Sequence, residues 1–462
     1  MDIKKGDILE LQVEKLAYGG RGLAYKNKMA IFVEQSMPGD IVEARIFRVK
    51  KNFAEATFLR IIEPSPYRIT PPCRYSGYCG GCKWQFIRYD KQLEYKGLFV
   101  EELLYHIGRT ENFRIYPPVP SFTEFGHRNK MEFSFSDKRW LYPEEMSKGV
   151  ESNDIALGLH VPGTFNKVID IERCLLQPEA GNDILQAVRE FIKGSKVPAY
   201  GLKSHEGFWR YLMLRHSYYF DEWMVNIVTN GHKDCIVQEM ASTLNKKFER
   251  IFSIVNNINS RKGGTAFGEV EKVISGKRAI KDKIGPFIFE ISANSFFQTN
   301  TPTAEKLYQV VKDFSHLSGK EVVLNLYCGT GTDSIILAPD ASRVIGIDIS
   351  ESAITNAKRN CELNNIDNCE FLCGDVKTAL SQINTRIDIL VTDPPRAGMH
   401  KKVVDKIVSM LPEKIIYISC NPATLARDVS LMSNTYRVKE VLPVDLFPHT
   451  YHIESIVKLE KV

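Results

Sequence analysis

The chain lacks most of the features that would mark an unusual class of protein. No apolar run approaches the roughly 20 residues that a membrane-spanning helix needs, so no spanning segment is expected. The opening Met1-Asp2-Ile3-Lys4-Lys5-Gly6-Asp7 is polar and has no apolar signal-like core. Internal repeats and low-complexity tracts are missing too, which excludes solenoids and fibrous chains. Charge of one sign is scarce: 61 Lys and Arg stand against 56 Asp and Glu, a net +5. That balance permits a nucleic-acid partner without requiring one. The cytosol is the expected compartment, and there the ten cysteines are not expected to pair as disulfides. Metal binding, catalysis and plain burial remain for them, and spacing must choose.

What is present is an ordinary globular mix, 44% hydrophobic and 25% charged. At roughly 100–200 residues per domain, 462 residues suggest two to four domains. Residues 1–62 read as short strands, Ile8–Val13, Ala30–Val33, Ile41–Ile46 and Ala54–Phe58, broken by Gly19-Gly20-Arg21-Gly22 and Pro38-Gly39-Asp40. That pattern suggests a small barrel of the OB type. The segment holds 8 acids and 11 bases, with Arg45, Arg48, Lys50 and Lys51 the densest basic run. It reads either as a solvated strand edge or as an RNA-binding surface. Residues 63–285 read as a central α+β domain that mixes strands and helices and carries a cysteine-rich loop, with a helical apolar period at Leu93, Phe99, Leu103 and Ile107. From 286 to 462 strands alternate with helices. Val322–Leu326, Val344–Ile347, Ile387–Val391 and Lys414–Ile418 are the strands, and Ser352–Asn364 is one helix. The expected fold is α/β with a parallel sheet.

Chemistry concentrates at the ends of those strands. The first runs into Tyr327-Cys328-Gly329-Thr330-Gly331-Thr332, where glycines let backbone approach a ligand closely. Asp348 ends the next strand, placed to accept hydrogen bonds from ribose hydroxyls. The third glycine of a dinucleotide loop is missing, which favours S-adenosylmethionine over NAD. The third strand ends in Asp393-Pro394-Pro395-Arg396-Ala397-Gly398. Arg396 stands where an amino-methylating enzyme would usually carry an aromatic. Cys420, in Ser419-Cys420-Asn421-Pro422, is a nucleophile candidate at a strand tip. Glu454, in an apolar context after Phe447-Pro448-His449-Thr450-Tyr451-His452-Ile453, is a candidate base.

A second cysteine group reads Cys73-x5-Cys79-x2-Cys82, with Cys174 the candidate fourth member. Four thiolates can hold zinc or a [4Fe–4S] cluster, and spacing alone does not separate the two. Cys235, Cys328, Cys361, Cys369 and Cys373 carry no pairing pattern and read as packing residues.

The DPPRAG, SCNP and FPHTxHxE segments resemble those of the RNA uracil-C5 methyltransferases, which modify 23S ribosomal RNA and transfer RNA. Phe296-Phe297-Gln298-Thr299-Asn300 is similar to the family's FFQxN segment, and the N-terminal strands look like a TRAM domain. The resemblance spans nearly the whole chain. It implies a Rossmann-like methyltransferase sheet and S-adenosylmethionine contacts from Gln298, Tyr327, Thr332, Asp348, Asp375 and Asp393. It also implies Cys420 as nucleophile, Glu454 as base, and Arg128 near the substrate base. The family's cysteine pattern implies that Cys73, Cys79, Cys82 and Cys174 hold a [4Fe–4S] cluster. A monomer acting on 23S ribosomal RNA is the expectation, because bacterial transfer-RNA members typically lack both barrel and cysteines. Two other classes compete: a radical methylthiotransferase and a non-catalytic RNA-binding protein. The first uses CxxxCxxC and carries its barrel at the other end of the chain. The second would have no need of Cys420 and Glu454.

Overall fold

The computed structural model describes residues 3–152 and 154–462. Strands β1 (Ile8–Ala17), β2 (Arg21–Lys26), β3 (Met29–Val33), β4 (Ile41–Val49) and β5 (Phe53–Glu63) close a barrel in the order β1-β2-β3-β5-β4. Alternate residues point inward, as period two requires: Leu11 and Val13, Ile31 and Val33, Val42, Ala44 and Ile46, Ala54 and Ala56. Strand β2 starts inside the stretch read from sequence as a break. Gly19 and Gly20, at φ 103° and 87°, complete the turn by themselves, so the chain is extended again from Arg21.

After the cysteine loop, helix Tyr89–His106 forms where the apolar period predicts it. Its buried face differs from the expected one. Gln92, Lys96, Phe99, Val100 and Leu104 are buried, whereas Ile107 is exposed. Two polar side chains take interior positions there because each finds buried partners, described below. The short β6 (Arg114–Ile115) follows.

The middle of the chain is a seven-stranded sheet. Its strands are β7 (Lys130–Ser136), β8 (Ala156–His160), β9 (Val168–Asp170), β10 (Trp209–His216), β11 (Trp223–Thr229), β12 (Ile251–Ile258) and β13 (Val270–Gly276), in the order β13-β12-β11-β10-β7-β8-β9. Helices Glu179–Ser195 and Asp234–Lys247 supply its apolar cover through Ile184, Leu185, Val188, Val237, Met240 and Leu244. A hairpin of β14 (Ala279–Ile284) and β15 (Phe287–Ser292) leads out of it.

The last sheet contains β16 (Val322–Leu326), β17 (Arg343–Asp348), β18 (Cys369–Cys373), β19 (Ile389–Thr392), β20 (Lys414–Ser419), β21 (Tyr436–Val444) and β22 (Glu454–Lys461). The order is β18-β17-β16-β19-β20-β22-β21-β6. The first five strands are parallel, as expected, with near-continuous burial along β16, β19 and β20. Strand β22 then inserts antiparallel between β20 and β21.

Residues 89–115 fall in the middle segment by sequence, yet they pack on this last sheet. β6 pairs with β21, and Val100 and Leu104 join its core beside Leu425 and Val429. One core also runs from Met224 and Val255 of the middle sheet through Ile280 and Phe289 of the hairpin to Val323 and Ile416. Among the described residues, no helix is long and apolar enough to cross a membrane.

Candidate active site

Parallel strands connected by helices all end at one edge, and ligands of such sheets bind there. Tyr327 and Gly329 follow β16, Asp348 closes β17, Asp393 follows β19 and Cys420 follows β20. Glu454 reaches the same edge from the opposite direction. β20 and β22 are antiparallel with Ser419 paired to Ser455, so Cys420, just past the end of β20, and Glu454, the first residue of β22, each lie one residue beyond that pair. A cleft of about 790 Å³ is lined by Gln298, Tyr327, Asp348, Asp393, Cys420 and Glu454, with Arg128 and Arg396 in the same wall. Of the expected nucleoside contacts, Thr332 and Asp375 stand outside this lining. Thr332 is buried in the first turn of its helix. Asp375 is exposed and caps a short helix, accepting from Lys377 N–H at 2.8 Å.

The loop after β16 is built by alternating left-handed residues: Tyr327, Gly329 and Gly331 have φ of 61°, 53° and 82°. A side chain at Gly331 would meet Ala357 Cβ at 2.9 Å, so glycine is what lets the loop lie against helix Glu351–Leu363. Asp348 braces the loop. Its Oδ2 accepts from Gly329 N–H at 2.9 Å and its Oδ1 from Ser350 N–H at 2.8 Å, leaving further lone pairs facing the cleft. On the other wall, Asn129 Nδ2 donates to Gln298 O at 2.7 Å and to Thr301 Oγ1 at 2.8 Å. The His127–Lys130 segment is thereby fastened to Phe296–Asn300.

Glu454 is only 4% exposed, deeper than its sequence context suggests. Burial pushes its carboxyl up to about 8, and the nearby Arg396 guanidinium pulls the other way. Asp393 is raised well above the carboxylate range by burial, then by the charges of Glu454 and Asp333. Each buried carboxylate raises the cost of charging the other, so burial and mutual repulsion both favour their protonated forms. The Cys420 thiol is pushed up to about 11 by burial and by Glu454 and Asp393, while Arg396 favours its thiolate. Arg396, noted in the sequence only for not being aromatic, is therefore the cation that tunes both groups.

Sequence reasoning missed the support beneath the Phe447–Ile453 loop. Lys96 Nζ donates to Asp445 Oδ1 at 2.7 Å and to Phe447 O at 3.0 Å, and both charged side chains are fully buried. Tyr89 donates its hydroxyl to Asp445 Oδ2 at 3.1 Å. Gln92 Oε1 accepts from His449 N–H at 2.8 Å, which holds His449 at a left-handed φ of 63°. The signal was available: Tyr89, Gln92 and Lys96 fall in phase with Phe99 and Val100 on one helical stripe.

Cys73, Cys79, Cys82 and Cys174 are free thiols that line one small apolar pocket with Leu159, Ile171 and Leu176. Burial, followed by the neighbouring thiols, pushes Cys79 up to about 12. Among the described residues, no group of three or more His, Cys, Asp or Glu side chains is gathered closely enough to hold a metal ion, these four cysteines included. Arg128 stands between this pocket and the cleft, its charge acting on Cys82 and Cys174 and its Nε buried without a partner. Of the five cysteines read as packing residues, Cys328 and Cys361 are buried, but Cys235 and Cys373 are exposed.

A nucleoside-type sheet edge carrying a thiol and a buried acid, joined to an OB-like barrel, defines a methyltransferase of RNA class. Residues 220–462, just over half the chain, match the family described as tRNA (uracil-5-)-methyltransferase, and residues 3–59 match the TRAM domain. The chain belongs to that family. Two similar proteins, each described as an uncharacterized RNA methyltransferase, come from Bacteroides thetaiotaomicron and Chlorobaculum tepidum. The first is 41% identical over 96% of this chain and 100% of its own length. The second is 39% identical over 99% and 97%. Among solved structures, the Pyrococcus abyssi tRNA (uracil-54, C5)-methyltransferase in complex with S-adenosyl-L-homocysteine superposes with a TM-score of 0.76. It is 30% identical and covers 98% of this chain and 100% of its own.

Proposed function

We propose that this protein methylates C5 of a uridine in RNA, with Cys420 as nucleophile and Glu454 as base. The observation that carries the reading is the Ser419–Ser455 register, which sets thiol and carboxylate side by side in one cleft. C5 of uracil is a weak carbon nucleophile. Addition of the Cys420 thiolate to C6 makes C4–C5 an enolate, and C5 then takes the methyl group that S-adenosylmethionine supplies. Glu454 removes the C5 proton, and the electrons of that bond re-form C5=C6 as the Cys420 sulfur leaves. Arg396 stabilises the thiolate before addition and after release. Gln298, Tyr327, Asp348 and Asp393 line the part of the cleft suited to a nucleoside, whereas Thr332 and Asp375, expected as contacts, lie outside that lining. A stacked base hides C6, so the uridine must be extruded or already unpaired.

Cys73, Cys79, Cys82 and Cys174 are proposed to hold a [4Fe–4S] cluster. What supports the reading is that the four thiols line one dry pocket with the Arg128 cation alongside, and that their spacing resembles the family's cluster pattern. Such a group would tie the loop at 73–82 to residue 174 and take no part in methyl transfer.

The proposed substrate is 23S ribosomal RNA, and the exposed Arg45, Arg48, Lys50 and Lys51 of the barrel favour a large folded RNA. Transfer RNA is the second reading. It is favoured by the Pyrococcus abyssi enzyme, which is a tRNA methyltransferase by name and matches this chain through the barrel. The test is methylation of both transcripts by the purified protein with S-adenosylmethionine, followed by mass-spectrometric mapping of 5-methyluridine. Product in 23S RNA alone supports the first reading, product in transfer RNA alone the second, and product in neither overturns the proposed activity.

A further inference from the structure

The turn between β1 and β2 brings one barrel side chain into the catalytic edge. Tyr18 donates its hydroxyl to Asn421 Oδ1 at 2.8 Å, across 403 positions of sequence. Asn421 is the residue after Cys420, and it is a junction. Its Nδ2 donates to Arg396 O at 2.9 Å, and its Oδ1 also accepts from Ala423 N–H at 3.2 Å, capping helix Pro422–Met432. The Tyr18 ring is held edge-on by Phe99 and Tyr451, each with centroids 6.0 Å away. The turn is fitted closely against the tail. A side chain at Gly20 would meet Tyr451 Cδ1 at 2.9 Å and Trp84 Nε1 at 3.0 Å, and Trp84 Nε1 donates to Gly20 O at 3.1 Å. The basic run lies elsewhere on the barrel, since Arg45 pairs with Ile8 at the far end of β1. The contact is thus separate from the barrel's cationic surface.

We infer that Tyr18 is a positioning residue for the reaction: its hydroxyl holds the Cys420–Asn421 turn, so the barrel supplies part of the frame of the nucleophile. The inference rests on the reading of Cys420 as nucleophile. Without the hydroxyl, Asn421 keeps Ala423 and Arg396, and the turn persists but is less restrained. Addition to C6 needs the sulfur within a narrow approach, so looser placement slows the chemical step and leaves binding alone.

The experiment uses the full chain as wild type, Tyr18→Phe and Cys420→Ala. The probes are 23S and transfer-RNA transcripts carrying 5-fluorouridine. Fluorine at C5 leaves no proton to remove, so the covalent adduct accumulates and its formation is read on a denaturing gel in a single turnover. Tyr18→Phe is expected to form adduct about tenfold more slowly at saturating RNA and S-adenosylmethionine, the scale of one lost hydrogen bond. RNA affinity, cofactor affinity and Tm are expected to stay near wild type. In an Asn421→Ala background, Tyr18→Phe is expected to add no further loss, because both changes remove the same bond. A Tyr18→Phe rate within threefold of wild type, or a defect confined to RNA affinity or Tm, overturns the inference. Adduct formed by Cys420→Ala instead overturns the reading beneath it, and the two failures are told apart in one gel.

Discussion

Cys420 directly follows β20 and Glu454 opens the adjacent antiparallel β22, each one residue past the Ser419–Ser455 pair. The spacing of nucleophile and base is therefore set by backbone hydrogen bonding of a sheet interior, which is stiffer than any loop. Glu454 is buried because it opens a strand whose first six residues are all buried, so both faces of the sheet are covered there.

Replacing the two residues separates the steps. Cys420→Ala is expected to abolish both turnover and any protein–RNA adduct. Glu454→Gln is expected to lower turnover by roughly 10²–10⁴-fold while letting the adduct form and persist. Product mapping and a denaturing gel read both. Near-normal 5-methyluridine formation by Cys420→Ala removes the covalent mechanism.

The buried acid should be visible in stability. Its folded pKa, about 8, lies above the ordinary 4.5, so the folded state favours the protonated form. Stability from this group is full below about pH 4.5 and is lost as pH rises towards 8. Glu454→Gln is neutral at every pH. Its Tm is expected to match wild type at pH 5 and to exceed it by roughly 2 °C or more at pH 8. Thermal melts across that range check the sign, and a difference independent of pH contradicts it.

The Lys96–Asp445 pair is fully buried, so removing one partner strands a charge. Lys96→Met is expected to cost about 3–5 kcal/mol in denaturant unfolding. Turnover should also fall at temperatures where the variant remains folded, since Lys96 anchors Phe447 O in the loop that leads to Glu454. A loss under about 1 kcal/mol would show that water reaches the pair.

Anaerobically purified protein is expected to be brown, with about four irons per chain. Serine at Cys73, Cys79, Cys82 or Cys174 should remove the iron and lower Tm. Zinc without iron after anaerobic preparation refutes the assignment.

Neutralising Arg45, Arg48, Lys50 and Lys51 is expected to weaken RNA binding and flatten its dependence on salt, leaving affinity for S-adenosylmethionine unchanged. Four charge changes are a cleaner test than deleting the barrel. Leu16 and Met37 pack against Trp84, Phe86 and Phe99, so deletion would expose that cluster as well as remove charge. An unchanged salt slope places the RNA on another face.

Most of the barrel and the parallel half of the last sheet were legible in the chain itself. Period-two burial and near-continuous apolar runs are local properties, and chemistry-bearing residues directly after such runs must share one edge of a parallel sheet. That is why Asp348, Asp393 and Cys420 could be grouped without a structure. The same local signal misled where a polar residue had a buried partner far away. Ile107 is in phase with an apolar stripe but exposed, because the helix turns Gln92 and Lys96 inward to meet His449 and Asp445. Periodicity reports which face of an element is covered and is silent about what covers it. The insertion of β22 between β20 and β21, the meeting of Cys174 with the loop at 73–82, and the reach of Tyr18 to Asn421 are pairings of distant segments. They were decided only when the sheets packed, because each depends on the shape of a surface that no single segment contains.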